Sequence, residues 1–146
     1  MRFKEFYLEL SALLDHFQSL ALLFARLVVA YGFYEPALMK WANFETTAHW
    51  FSELGIPFAM FATFLTASFE IIGMILLALG LFTRFISLPL IIILLVAIFT
   101  VHIGHGFSVA NNGFEIPLYY LLFLVFFTSK GAGKFSLDQL IFGKEK

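Results

Sequence analysis

Glu70 stands in the middle of Pro57–Arg84, PFAMFATFLTASFEIIGMILLALGLFTR, an apolar stretch of membrane length with no other acid. A charged side chain at that depth costs about 2.5–3.5 kcal/mol on insertion scales, and such groups face protein or a watery cavity. Arg26 is the second charge set deep in an apolar run, LALLFARLVVAYGFYEPALMKW. An arginine fork bonds a carboxylate bidentately, so the sequence predicts an Arg26–Glu70 pair, with snorkelling of Arg26 to the headgroups as the alternative. Such a pair either locks two helices together or forms the polar floor of a cavity for a lipophilic head group, a quinone carbonyl being the first candidate. Thr63, Thr66, Glu70, Gly73 and Leu77 recur at three- and four-residue steps. Small and hydroxyl side chains on one face let helices approach and hydrogen-bond, so the acid is expected to face inward.

A second group gathers at the opposite ends of the apolar runs: Glu35, Lys40, His102, His105 and Glu115. Arg26, Glu70, Thr66, Lys40, His102 and Glu115 are therefore the candidate ligand-binding residues, the last three lining the outer mouth. His102 and His105 are three apart, a spacing that serves a metal such as copper, with Glu115 or Glu35 as oxygen ligand. The alternatives are ordinary interfacial histidines, or proton handling near the unperturbed histidine pKa of about 6.5. His49 reads as a solvated polar-face residue. No phosphate loop, nucleophile elbow or nucleic-acid patch is present, and no residue set performs catalysis unaided. The absence of cysteine removes dithiol exchange, a thiolate nucleophile and thiolate metal sites. Any redox role must be borrowed from a cofactor or a partner.

The elements that would position these residues are membrane-spanning helices. Of 146 residues 61% are hydrophobic and 13% charged, against about 45–50% and 25% in soluble domains, so the expected solvent is lipid. A run of about 20 apolar residues crosses the hydrocarbon as a helix. Four such spans are expected, at about residues 20–41, 57–80, 85–103 and 114–129, making one all-α domain over 1–146: a four-helix transmembrane bundle with amphipathic interfacial helices. Pro36 is expected to kink the first span. Residues 2–19 carry Phe3, Phe6, Tyr7, Leu10, Leu13, Leu14 and Phe17 at helical spacing, a stripe suited to the membrane interface. The loop 42–56 predicts a short surface helix, and Ser136-Leu137-Asp138-Gln139 is a capping box opening another near the C-terminus. No cleavable leader is read, because the first apolar run begins only near Leu20.

Topology follows from the cations. Arg2, Lys4, Arg84, Lys130, Lys134, Lys144 and Lys146 lie on the side of the termini and of the short turn at Gly80–Arg84, and only Lys40 lies with the two longer loops. Both termini are thus expected in the cytoplasm. The lipid bilayer is the first partner, nucleic acid is excluded, and self-association stays open.

Arg26 in ARLVVAYGF, Lys40 after it, Glu70 in FEIIGMILLALGLFTR, His102, the GFEIPLYYLL start of the last span and the closing FSLDQLI together resemble the DoxX family of small bacterial four-helix membrane proteins. The opening LDHFQSLALLFARL is similar to the HvfX branch, whose members accompany maturation of copper-binding modified peptides. The chain departs from the family pattern before Lys40, where Glu35-Pro36-Ala37-Leu38-Met39 replaces a small glycine-containing motif. The resemblance implies a bacterial cytoplasmic-membrane protein working beside redox or metal-handling partners. One branch is associated with thiosulfate:quinone oxidoreductase, others with oxidative-stress complexes. The function expected from residues and resemblance together is an accessory subunit that binds a lipophilic redox molecule and couples it to a partner. The alternative is a scaffold or transport-like component of copper-peptide maturation without electron transfer.

Overall fold

A computed structural model describes residues 2–143; Lys144 and Lys146 of the topology argument lie outside the described residues. The apolar periodicities form seven α-helices: α1 (Arg2–Asp15), α2 (Gln18–Ala42), α3 (Phe44–Glu53), α4 (Ala59–Leu79), α5 (Thr83–Ala97), α6 (Glu115–Lys130) and α7 (Leu137–Phe142). α5 does not stop at Ala97 but continues through a π-helical turn, Ile98–His102, and a 3-10 turn, Ile103–His105. The expected spans fall on α2, α4, extended α5 and α6. α2, α4 and residues 83–105 are long and apolar enough to cross a membrane. α6 has 16 residues, about 24 Å of helix against a hydrocarbon core of about 30 Å. The described chain therefore has three candidate spans rather than a clear set of four. α2 runs unbroken through Pro36.

The helices pack as neighbours in sequence order would: α2 on α4, α3 on α4, α4 on α5 and α5 on α6. Leu22, Val29 and Phe33 of α2 meet Leu77 of α4, Leu90 and Leu94 of α5, and Leu124 and Phe127 of α6 in one apolar core. Gly73 lets α4 and α5 close up, since a Cβ there would sit 2.6 Å from Leu90 Cδ1. The inward face expected on α4 is present: Thr63, Glu70, Gly73 and Leu77 are buried. Large apolar side chains such as Ile92, Phe99 and Val125 point outward, as a lipid-facing surface requires.

The two ends of this core differ. At one, the α4–α5 turn passes through Gly80 and Phe82, both with positive φ, and α7 folds against it. At the other, α3 and the loop 106–114 cover the helix ends. α1 has no buried residue, and its apolar stripe is fully exposed.

Candidate functional site

Lys40, not Arg26, is the partner of Glu70. The Lys40 ammonium donates to both carboxylate oxygens, at 3.1 and 3.0 Å, with Glu70 5% exposed and Lys40 18%. The reason lies in helix direction. Cα–Cβ bonds lean toward a helix's N-terminus. α2 and α4 run antiparallel, so Lys40 leans back toward the middle of the bundle while Glu70 leans toward it. A third acceptor, the Pro36 carbonyl, lies 3.5 Å from the same ammonium.

The same lean, toward the start of α2, carries Arg26 away from Glu70. It points toward the α4–α5 turn and donates to the carbonyls of Leu77 (2.8 Å), Ala78 (3.5 Å) and Phe135. Carbonyls in the last turn of a helix lack intrahelical partners, and a guanidinium is well matched to them. Arg26 is thus a fully buried cap on α4 rather than part of a ligand site, and both the expected pair with Glu70 and the snorkelling alternative are corrected. Asp138 completes this end by accepting from the backbone N–H of Phe82 (2.7 Å) and Thr83 (3.0 Å), the open donors at the start of α5. Its own N–H donates to the Gly80 carbonyl at 2.9 Å. Ser136 caps α7 by accepting from the Gln139 N–H at 3.2 Å, as the sequence box predicts. Arg84 plays a role like that of Arg26 on α6, donating to the Thr128 and Ser129 carbonyls.

At the opposite end the helices enclose a cavity of about 570 Å³. Its walls come from five helices: Gly32, Phe33 and Pro36 of α2, Trp50 and Phe51 of α3, Thr66 and Phe69 of α4, Ile93 and Ala97 of α5, and Pro117 and Tyr120 of α6. Lys40, Glu70 and His102 supply its charged and titratable lining. The absence of a side chain at Gly32 makes room for the Tyr120 ring, which also packs on Phe33 with centroids 6.1 Å apart. A pocket of this kind, mostly apolar with a few convergent polar groups, is the usual form of a small-molecule site.

His102 lies on the π-helical turn, a local widening that recurs at functional sites. Its Nδ1 is 2.9 Å from the Asn112 carbonyl. A carbonyl only accepts, so Nδ1 carries the hydrogen, and in the neutral ring Nε2 keeps a lone pair for hydrogen bonding. Glu115 is placed elsewhere than expected. Its carboxylate accepts from the Val109 N–H at 2.9 Å and from the Tyr119 hydroxyl at 3.2 Å, tying the 106–114 loop to α6. It does not line the cavity, and neither does His105, which is exposed. Among the described residues no three His, Cys, Asp or Glu side chains gather as a metal group. The expected ligand set thus divides: Lys40, Thr66, Glu70 and His102 share the cavity, while Arg26 and Glu115 serve the two ends. Sequence reasoning missed Trp50, Phe69 and Tyr120 as its walls.

These features define a helical membrane protein with a cavity at one end of its bundle. The chain belongs to the DoxX family, whose model matches residues 21–103. It is 35% identical over 129 residues to an uncharacterized protein of Haemophilus influenzae, covering 83% of each chain. A second uncharacterized protein of that organism is 35% identical over 136 residues, 90% of this chain and 98% of the relative. A Bacillus subtilis protein named "Putative oxidoreductase CatD" is 29% identical over 124 residues, 85% of this chain and 89% of the relative. No solved structure matches the chain.

Proposed function

We propose that this protein is an accessory membrane subunit that binds a ring-headed lipophilic redox molecule, a quinone in the first instance, and hands it to or from a partner. The observation that carries the reading is the cavity itself: about 570 Å³ of apolar and aromatic wall closed by the Lys40–Glu70 pair, with His102 beside it. A quinone ring fits such walls by stacking and contact, its carbonyl oxygen accepts from the Lys40 ammonium, and a reduced hydroxyl donates to His102 Nε2. The likeness to the Bacillus subtilis protein named as an oxidoreductase supports a redox setting. The chain sits as a four-helix bundle in the bacterial cytoplasmic membrane, α6 being the short fourth span. Both termini face the cytoplasm, in keeping with Arg2, Lys4, Arg84, Lys130 and Lys134 at the turn end.

Trp50 lines the cavity and provides the test. In a Trp41→Phe background, the purified protein titrated with a decyl-tailed benzoquinone should lose saturable indole fluorescence and melt at a higher temperature. No saturable quenching and no melting shift would sink the reading. The HvfX-like opening LDHFQSLALLFARL supports a second one, a scaffold in copper-peptide maturation without electron transfer. It is favoured if quinone is ignored while a peptide-maturation partner co-purifies with the membrane-extracted protein.

A further inference from the structure

Six of the residues lining the cavity are exposed: Trp50 of α3, Leu65 of α4, Ile92 and Val96 of α5, Thr100 of its π-helical continuation and Ile116 of α6. Leu65 of α4 is 36% exposed, Ile92 of α5 62% and Val96 of α5 41%. A side chain that both lines an internal space and faces outward stands on the rim of an opening. These three belong to α4 and α5, whose close approach at Gly73 and Leu90 lies nearer the turn. Beyond that contact, α4 contributes Thr66 and Leu65 and α5 contributes Val96 and Ala97 to the cavity wall. Ile92 is nine residues into the 83–105 span, about 14 Å along a helix of about 34 Å, which places the rim at hydrocarbon depth rather than at the water interface.

We infer that the cavity opens sideways into the bilayer between α4 and α5, and that its ligand is an amphiphile drawn from the lipid phase, its ring toward Lys40 and Glu70 and its hydrocarbon tail lying across Leu65, Ile92 and Val96. This inference rests on the reading of the cavity as a binding site, and it narrows the ligand class. On the α4–α5 side Leu65, Ile92 and Val96 are branched aliphatic, and the Thr100 hydroxyl beyond them donates to the Val96 carbonyl, so a water-soluble molecule finds little polar surface to follow there, whereas a hydrocarbon tail exchanges lipid contacts for equivalent protein contacts.

The opening is tested without any quinone by a reporter inside it. With Trp41 and Trp50 changed to Phe, the indole introduced by Phe69→Trp, or in a second reporter by Ala97→Trp, is placed in vesicles of phosphatidylcholine brominated at mid-chain. Acyl-chain bromines should quench it at least two-fold more than aqueous iodide does, and Ile92→Phe with Val96→Phe should remove most of that difference. Ile75→Phe and Leu88→Phe, equally exposed positions on the same helices outside the cavity lining, should leave it unchanged. Stronger quenching by iodide than by brominated lipid in both reporters, or indifference to the rim substitutions, overturns the sideways opening. A second arm follows decyl-benzoquinone binding by Trp50 fluorescence in the Trp41→Phe protein, where the rim substitutions should slow association at least ten-fold. Lipid quenching without any quinone response leaves the opening standing and the quinone reading overturned; quinone binding at an unchanged rate through the altered rim does the reverse.

Discussion

The Lys40 ammonium lies within 3.1 Å of both carboxylate oxygens of Glu70, thirty residues away along the chain, and this pair closes the polar end of an otherwise apolar cavity. Breaking it from one side strands the other charge in a low-dielectric place. Glu70→Ala should therefore destabilise the protein by about 3 kcal/mol, the lower end of the range for a broken buried pair because Lys40 keeps 18% exposure. Lys40→Met combined with Glu70→Leu should recover most of that loss. Unfolding by denaturing detergent, followed by circular dichroism, measures both.

For ligand binding the same pair predicts a different ordering. Lys40→Met should weaken the decyl-tailed quinone about ten-fold, and His102→Ala by a few-fold, since a net hydrogen bond is worth about 1 kcal/mol and one to a charged group about 1.5–3 kcal/mol. Glu115→Ala should leave affinity unchanged, because its carboxylate serves the loop. Fluorescence titration of Trp50 reads all three, and equal effects at Glu115 and Lys40 would contradict the placement of the site.

Arg26 links three segments that are far apart in sequence. Arg26→Leu should remove charged hydrogen bonds to the carbonyls of Leu77 and Phe135 and cost at least about 3 kcal/mol. Amides of residues 135–142 should then exchange with deuterium well before those of α2 and α4. Arg26→Lys should rescue little, since a lysine ammonium has no planar fork to span several carbonyls.

Asp138→Ala removes acceptors for the Phe82 and Thr83 N–H groups, and the loss of such a cap costs about 1–2 kcal/mol. Asp138→Asn should retain part of the stability through its side-chain oxygen while losing the charge at the helix start. Exchange at the Phe82 and Thr83 amides gives the site-specific check.

Glycines at the two ends should respond differently to the same substitution. Gly80 has φ +67°, and a Cβ there would run into the Arg26 guanidinium and the Ser136 side chain. Gly80→Ala should cost about 1–3 kcal/mol from strain and overpacking combined. Gly104 has open space around it, so Gly104→Ala should stay within about 0.5 kcal/mol. Thermal melting of the two variants side by side decides the point.

The helices were legible because apolar length and three- and four-residue spacing are local properties. The inward face through Thr63, Glu70 and Gly73 follows from spacing alone, whereas the sequence sets Glu70 with Arg26 as a floor and Lys40, His102 and Glu115 at a mouth, and of these the cavity gathers Lys40, Glu70 and His102 together with Thr66. The partner of Glu70 is not legible from depth along a span alone, because the lean of each side chain decides which charges meet. Both Arg26 and Lys40 lean toward the start of α2, which carries Lys40 toward Glu70 and Arg26 away from it, so the lean pairs Lys40 with Glu70. Asp138 was visible only as part of a local capping box. Its bonds to Phe82 and Thr83 join segments more than fifty residues apart, which no periodicity encodes. The walls formed by Trp50, Phe69 and Tyr120 were hidden for a related reason: in a chain with 21 Phe, one more aromatic residue carries little information about where it points.

The knot at the α4–α5 turn also bears on biogenesis. Arg26 enters the membrane with the first long helix, yet the carbonyl of Phe135 and the carboxylate of Asp138 are synthesised only after α2, α4, α5 and α6. Until then the start of α5 keeps two unanswered amides and the turn lacks its clasp. A chain arrested before Phe135 would keep its apolar helices but lack the acceptors that Phe135 and Asp138 supply at this end. The clasp at this turn therefore closes only after the long helices it joins have been made.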